Sequence, residues 1–314
     1  MKYWLGIDTS NYTTSAAAYF EDGTMLSQKK LLPVKQGERG LRQSDAVFLH
    51  TKQLPEVAER LFAGIPPEAE LAGISASVTP RDAEGSYMPC FLAGRTFAEG
   101  IAMSNRVPFC GVSHQSGHIA AALFGANKLE LADKEFVAFH ISGGTTEGLF
   151  VKGSGSGFAV DIAAKTLDIS AGQLIDRIGV KMGFGFPAGA ALDMLALAHG
   201  PVAVKPTLKD CDCCISGIEN ICSKMLDDGE SSEKVAAYCF SYVAETLVGI
   251  SKRLAESYGQ VPFLYAGGVM SSSFIKGYIS ERIPGAIFTK PTFSADNAAG
   301  VAYLSSVLCG GDKV

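Results

Sequence analysis

His114 and His118 stand four residues apart in the run S-H-Q-S-G-H-I-A-A-A-L. A helix turns once every 3.6 residues, so both imidazoles would emerge from one face, close enough to grip a single cation. Neutral imidazole is the commonest ligand of transition metals, and two of them leave positions open for a carboxylate and a substrate. Asp296, in S-A-D-N-A-A-G just ahead of a small-residue run that reads as a helix, is the candidate carboxylate. The alternative is that the histidines cap or pack their helix. Peptide hydrolysis of the H-E-x-x-H kind is disfavoured, because no glutamate or other acid stands between the two histidines to act as base.

Three turns rich in glycine, serine and threonine each follow a strand-like segment: residues 8–14 (D-T-S-N-Y-T-T), 142–146 (S-G-G-T-T) and 266–273 (A-G-G-V-M-S-S-S). Glycine lets backbone N–H groups approach an anion closely, and hydroxyls add donors. One such turn is ordinary; three in this order point to phosphates. The candidates for nucleotide contacts are Ser142, Gly143, Gly144 and Thr145 in the second turn and Gly267, Gly268 and Ser272 in the third. Asp8 and Ser10, closing the first strand, are the candidate catalytic pair. Asp8 would meet magnesium directly or through another group, or is simply a polar strand end. Asp176, in Q-L-I-D-R-I, either faces solvent or accepts hydrogen bonds from a ribose. Gly189 would let a helix start close to a nucleoside, and Asp193, one turn later, is the next candidate hydroxyl acceptor or a solvated acid.

These residues need a scaffold, and the patterning supplies one. Strand-like segments 3–8, 15–20 and 24–32 are followed by a helix over 45–63, with Pro55 as a kink or restart. A short buried strand over 71–78 and a small-residue helix over 94–104 come next. The order strand, strand, strand, helix, strand, helix is that of one ribonuclease-H-like layer. A similar block begins near Phe136 and reaches a helix over 170–182; later segments read as strands over 261–266 and 286–289 and a final helix over 297–307. The histidine helix, about 113–124, lies between the blocks. The expected architecture is α/β: one lobe of residues 1–112 with 297–314, a second of 113–296 carrying a helical insert, and a cleft between them.

The composition is that of a globular chain long enough for two cores: 314 residues, 47% hydrophobic and 19% charged. A net charge of −5 gives no broad basic surface, so an RNA partner would need a local patch or another subunit. The apolar start is too short for a signal peptide, and no apolar run is long enough to span a membrane, so a cytoplasmic protein is expected. Eight cysteines without a secretory signal read as reduced thiols. The cluster D-C-D-C-C over 210–214 invites a metal, but it lacks the second spaced pair of a zinc site.

The layout of the three turns resembles the superfamily of actin, the heat-shock ATPase chaperones and the sugar kinases. Over nearly the whole length the chain resembles the TsaD/Gcp family, threonylcarbamoyladenosine synthase subunits formerly described as O-sialoglycoprotein endopeptidases. The motifs are I-D-T-S, H-Q-S-G-H, I-S-G-G-T-T, A-G-Q-L-I-D-R, F-P-A-G, I-S-G at 215–217, A-G-G-V and S-A-D-N-A-A. The resemblance places His114, His118 and Asp296 on iron- or zinc-ligand positions and Ser142, Gly143 and Gly144 on a phosphate loop. It places Asp176 and Gly189 on nucleoside contacts and Ser272 where the family usually has asparagine. His140 stands where some relatives carry a metal-contacting tyrosine; it is either a third imidazole ligand or a strand residue buried between layers.

The implied reaction moves a threonylcarbamoyl group from threonylcarbamoyl-adenylate to a tRNA adenosine beside the anticodon, releasing AMP. One divalent metal and an ATP- or AMP-type ligand, with or without magnesium, are implied, and so are a related paralogue and a small ATPase as partner subunits. Three segments depart from the family. Asn11, Tyr12 and Thr13 replace an acidic pair, residues 79–89 (T-P-R-D-A-E-G-S-Y-M-P) replace a glycine-rich segment, and Gln43–Ser44 replace proline–glutamate. The chain therefore reads as a divergent paralogue. The other readings are a non-catalytic nucleotide-binding partner subunit and a small-molecule kinase or carbamoyl transferase on the same scaffold.

Overall fold

The computed structural model describes residues 1–10, 12–33, 41–154, 157–293 and 297–310. The first series of elements is β1 (Lys2–Asp8), β2 (Thr13–Phe20), β3 (Met25–Leu31), α1 (Gln43–Phe62), β4 (Glu70–Thr79), α2 (Phe91–Asn105), β5 (Phe109–Ser113) and α3 (His114–Gly125). The second opens with β6 (Glu135–Ile141), β7 (Thr146–Gly153), β8 (Phe158–Lys165), α4 (Ala171–Lys181) and α5 (Gly189–His199). The hairpin β9 (Thr207–Lys209) and β10 (Asp212–Cys214) follows, then α6 (Gly217–Asp227) and α7 (Ser232–Tyr258). The chain closes with β11 (Phe263–Ala266), α8 (Ser273–Arg282), β12 (Ile287–Phe288) and α9 (Asn297–Cys309).

Two five-stranded sheets have orders β3-β2-β1-β4-β5 and β12-β11-β6-β7-β8. Strand for strand these are one arrangement used twice. The first strand of each series is central, pairs antiparallel with the second, and lies parallel to the strand that returns after the helices. The duplicated ribonuclease-H-like layer expected from element order is therefore present.

A central strand is buried on both faces and so loses the alternation of a half-exposed one. In β1, Leu5 and Ile7 join a core with Leu54, Leu61 and Ile74. Gly6 faces α9 so closely that a Cβ there would overlap the carbonyl oxygen of Ala298 and the backbone of Ala302. On another side of α9, a Cβ at Gly300 would overlap the carbonyl of Gly117 in α3. The small-residue run N-A-A-G-V-A is what lets α9 pass between a strand and a helix at backbone distance. The second sheet packs on α7, a 27-residue helix whose Phe240, Val248 and Leu247 are buried with Phe139, Leu174 and Tyr265.

The chain forms two compact units: Met1–Asp133 with Gly153–Ala159 and Thr292–Val314, and Lys134–Lys152 with Val160–Pro291. The division expected from the sequence, 1–112 with 297–314 against 113–296, differs in its placement of α3. The histidine helix belongs to the first unit, because Gly117 and Gly300 bring it against α9. The restart expected at Pro55 does not occur either. Helix α1 runs through it without a break, its buried Leu54, Val57, Ala58 and Leu61 lying on one continuous face. Among the described residues no helix is long and apolar enough to cross a membrane.

Two glycines in helices separate packing from propensity. Gly300→Ala should lower stability by about 1–3 kcal/mol, since backbone cannot yield to the added methyl. Gly100→Ala, in exposed mid-helix of α2 with nothing within 4 Å of the new carbon, should raise it by about 0.5–1 kcal/mol. Urea midpoints of the two variants check both signs.

Candidate active site

In the first unit the site is built on the carboxyl end of β1. Asp8 is 1% exposed. Its Oδ1 accepts from the backbone N–H of Ser10 at 3.0 Å and from the Ser10 hydroxyl at 2.5 Å. Its Oδ2 accepts from the hydroxyl of Ser77, on the neighbouring β4, at 2.5 Å and lies 2.8 Å from Nδ1 of His114. Burial pushes the Asp8 carboxyl up, but the charge of His114 and the hydrogen bonds from His114, Ser10 and Ser77 outweigh it, so the group stays well below the ordinary carboxylate range. An ionised carboxylate can only accept, so Nδ1 of His114 carries the proton and Nε2 keeps its lone pair. Of the expected catalytic pair, Ser10 serves Asp8, and Asp8 serves His114.

Helix α3 begins at His114. Ser113 is its N-cap, with a side chain that accepts from the backbone N–H of Ser116 at 3.1 Å. The rings of His114 and His118 meet edge to face with centroids 4.5 Å apart, as the four-residue spacing requires. Nδ2 of Asn297, the first residue of α9, lies 3.5 Å from Nε2 of His114, and the buried Oδ1 of Asn297 has no hydrogen-bond partner among the described residues. Two imidazoles, one of them held by a carboxylate through its far nitrogen, fit one side of a transition-metal site. Asp296, and with it Asn11 in the turn after β1, lies outside the described residues. Among the described residues no group of three or more acids, histidines and cysteines could hold a metal ion. His140 belongs to the second unit, on β6 opposite Glu147 of β7 and Ala266 of β11.

In the second unit the turn after β6 is closed by the Ser142 N–H donating to the Thr145 carbonyl at 2.8 Å. The Ser142 hydroxyl oxygen accepts from the N–H groups of Gly144 and Thr145. Helix α4 starts against this turn: Gly172 N–H donates to the Ser142 carbonyl, and a Cβ on Gly172 would collide with Gly143. Ser170 caps α4 in a reciprocal box with Gln173 and donates to the Gly143 carbonyl at 2.6 Å. Space beside Gly143 and Gly144 is open for 4 Å around the place a Cβ would take. An exposed glycine turn seated on a helix N-terminus suits an anion.

From Gly143 a cavity of about 600 Å³ extends along α4, lined by Gln173, Asp176, Arg177, Lys181, Phe186 and Glu219 among others. That size suits a nucleoside. Glu219 accepts from Arg177 at 3.0 Å and lies 3.2 Å from Lys181, and the Arg177 hydrogen bond holds its carboxyl below the ordinary range. Asp176 is neither free nor merely solvated; its Oδ1 accepts from the Ala188 N–H at 2.8 Å, fixing the start of α5 at Gly189. Asp193 does the same for α8, accepting from the N–H groups of Ser273 and Phe274 and from the Ser272 hydroxyl. Ser272 is itself the N-cap of α8, its oxygen accepting from Ile275 N–H at 3.0 Å. Gly267 has φ +104°, and a Cβ there would overlap the Ile141 carbonyl, so only glycine fits; Gly268 has open space.

Two further acids carry no sequence signature of a site. Asp168 accepts from the N–H groups of Ile215 and Ser216, the Ser216 hydroxyl and the Ile169 N–H, which locks the I-S-G turn at the start of α6. Its place two residues before the Ser170 cap, in T-L-D-I-S, is the only local signal. Asp82, in the segment 79–89, accepts from the hydroxyls of Ser113 and Ser116; no local pattern announces it. Burial pushes the thiols of Cys213 and Cys222 up to about 12. In the D-C-D-C-C cluster, Cys213 is thus a core thiol rather than a thiolate ligand.

Residues 26–303 match the model of a protein family described as TsaD, tRNA N6-adenosine threonylcarbamoyltransferase. A curated tRNA N6-adenosine threonylcarbamoyltransferase from Methanopyrus kandleri is 26% identical over 305 residues, 95% of this chain and 85% of the relative. The fold is similar to the crystal structure of HypF from T. kodakarensis, with a TM-score of 0.60 and 14% identity over 99% of this chain and 48% of that one. It is also similar to a ROK family glucokinase from Streptomyces griseus solved with glucose and AMPPNP, with a TM-score of 0.53 and 15% identity over 96% and 99% of the two chains. At such identities the structural likeness speaks for the fold alone.

The Asp168 lock has a pH signature. Burial raises its pKa, but the hydrogen bonds from Ile215, Ser216 and Ile169 win and bring it down to about 2. A depressed carboxylate stabilises the fold fully above its unfolded pKa, about 4, and that contribution fades as pH falls through the folded value. Asp168→Ala should therefore lower the urea midpoint at pH 7, by roughly 1 kcal/mol after solvent screening. The gap to the wild type should close between about pH 4 and pH 2.

Proposed function

The chain belongs to the TsaD family, and from that premise we propose that it transfers a threonylcarbamoyl group from threonylcarbamoyl-adenylate to N6 of a tRNA adenosine. In that reaction the amine nitrogen bonds to the carbamoyl carbon, the bond from that carbon to the phosphate oxygen breaks, and the nitrogen gives up a proton as AMP leaves. No protein nucleophile is required; what the site must supply is positioning and charge stabilisation.

The observation that carries this reading is the buried Asp8–His114 pair with His118 edge-on to it. His114 and His118 would hold an iron or zinc ion, with Asp296 as the carboxylate. The bound ion supplies a Lewis acid for an acyl or phosphoryl oxygen. Asp8 keeps the His114 proton on Nδ1 and so turns Nε2 outward, while Ser10 and Ser77 keep Asp8 ionised. In the second unit the turn 142–145, backed by the N-terminus of α4, would take the phosphate of the adenylate. The cavity beyond it would take the nucleoside, with Asp176 and Phe186 along its wall. An acidic chain meets tRNA more readily with help, and we assign that help to partner subunits of the kind the family uses, a related paralogue and a small ATPase.

Metal analysis and a transfer assay with threonylcarbamoyl-adenylate, tRNA and partner subunits test the proposal. Wild type should carry a divalent metal, release AMP and modify the adenosine. His114→Ala should lose the metal and about 100-fold or more of the transfer rate, with its melting temperature little changed. Adenylate binding by calorimetry on fully loaded protein, with no turnover, would identify a non-catalytic nucleotide-binding subunit and overturn the transferase.

A further inference from the structure

The segment 79–89 takes no part in the chemistry described above, yet it is tied to the histidine helix at three points. Both Ser113 and Ser116 donate their hydroxyl protons to the same atom, Oδ2 of Asp82, at 2.6 and 2.8 Å. The Gln115 N–H donates to the Pro80 carbonyl at 3.1 Å. The segment is closed on itself by the Arg81 N–H donating to the Ser86 hydroxyl and the Ser86 N–H to the Ala83 carbonyl, both at 3.1 Å. Ser113 and Ser116 are 1% and 4% exposed, so without Asp82 two hydroxyls in a dry place would lose their acceptor.

The location of these bonds decides what they control. Ser113 caps α3, and His114 is the first residue after the cap, where a helix frays most easily. His118 sits a full turn deeper. A loosened first turn would displace His114 from Asp8 while leaving His118 in place, and the two imidazoles would no longer converge. We propose that Asp82 is a positioning residue for the histidine pair, so that filling the two-imidazole site and docking the segment 79–89 stabilise each other. The proposal rests on the reading that His114 and His118 hold a cation. Coupling of this kind is reciprocal: whatever factor the docked segment contributes to metal affinity, the metal returns to the segment.

Cobalt(II) serves as the probe, since its visible absorption reports ligand geometry without turnover. Wild type should bind it, and Asp82→Ala should bind it about tenfold or more weakly, the range found when groups behind a ligating histidine are removed. Because one oxygen accepts both hydroxyls, Asp82→Asn offers an amide oxygen to the same two donors and should stay within about threefold of wild type. Ser116→Ala, which removes one bond and leaves the segment's own sequence untouched, should weaken binding by about threefold. Cobalt should also slow tryptic cleavage after the exposed Arg81 in wild type and not in Asp82→Ala. A purely structural role would lower the melting temperature of the variants and leave cobalt affinity alone. Wild-type affinity in folded Asp82→Ala, or in Ser116→Ala should the first variant not fold, overturns the positioning role. A wild type that binds no cobalt would instead sink the metal reading beneath it.

Discussion

A carboxylate at the end of a central strand, cut off from water, persists as an anion only if donors surround it. Asp8 meets that demand with a backbone N–H, two hydroxyls and an imidazole drawn from the turn after β1, from β4 and from α3. Three elements are thereby held to one atom pair. The imidazole is the group most affected, because its tautomer, and hence the nitrogen it can offer to a cation, follows from the charge beside it. Replace the carboxylate with an amide and either nitrogen could carry the proton. The geometry of the histidine pair is thus downstream of a single buried charge.

That charge can sit where it does because the backbone around it is unusually close. Gly6, Gly117 and Gly300 let β1, α3 and α9 approach without side chains between them. The same closeness brings Asn297 to the edge of the His114 ring. In the second unit the logic is different. There the acids Asp168, Asp176 and Asp193 each accept backbone N–H groups at the start of a helix, and those helices surround the glycine turn and its cavity. The first unit positions side chains by packing; the second does it by capping.

The repeated strand order is legible in the sequence because strand and helix periods differ, and each series begins with the same run of three strands. The histidine pair is legible because its partner is one turn away. Asp193 and Ser272 stand out in the sequence as possible ligand contacts, but their bond to each other spans 79 positions and has no local mark. The same holds for Asp82, whose partners lie 31 and 34 residues on. Helix α7 offers no stripe to read, since it is buried on most sides and its apolar residues do not segregate. Pro55 signals a break, yet the apolar face on either side of it keeps α1 whole. Asp296, the carboxylate that the spacing of motifs singles out, falls outside the described residues.

The placement of α9 orders events on the ribosome. Its backbone covers the face of β1 opened by Gly6, yet it is translated after every other element described. The second unit has all of its strands and helices in hand before then, whereas the first must wait with one side of its founding strand bare. Whatever shields that strip during synthesis, a chaperone or a transient contact within the nascent chain, has to release it to the final helix.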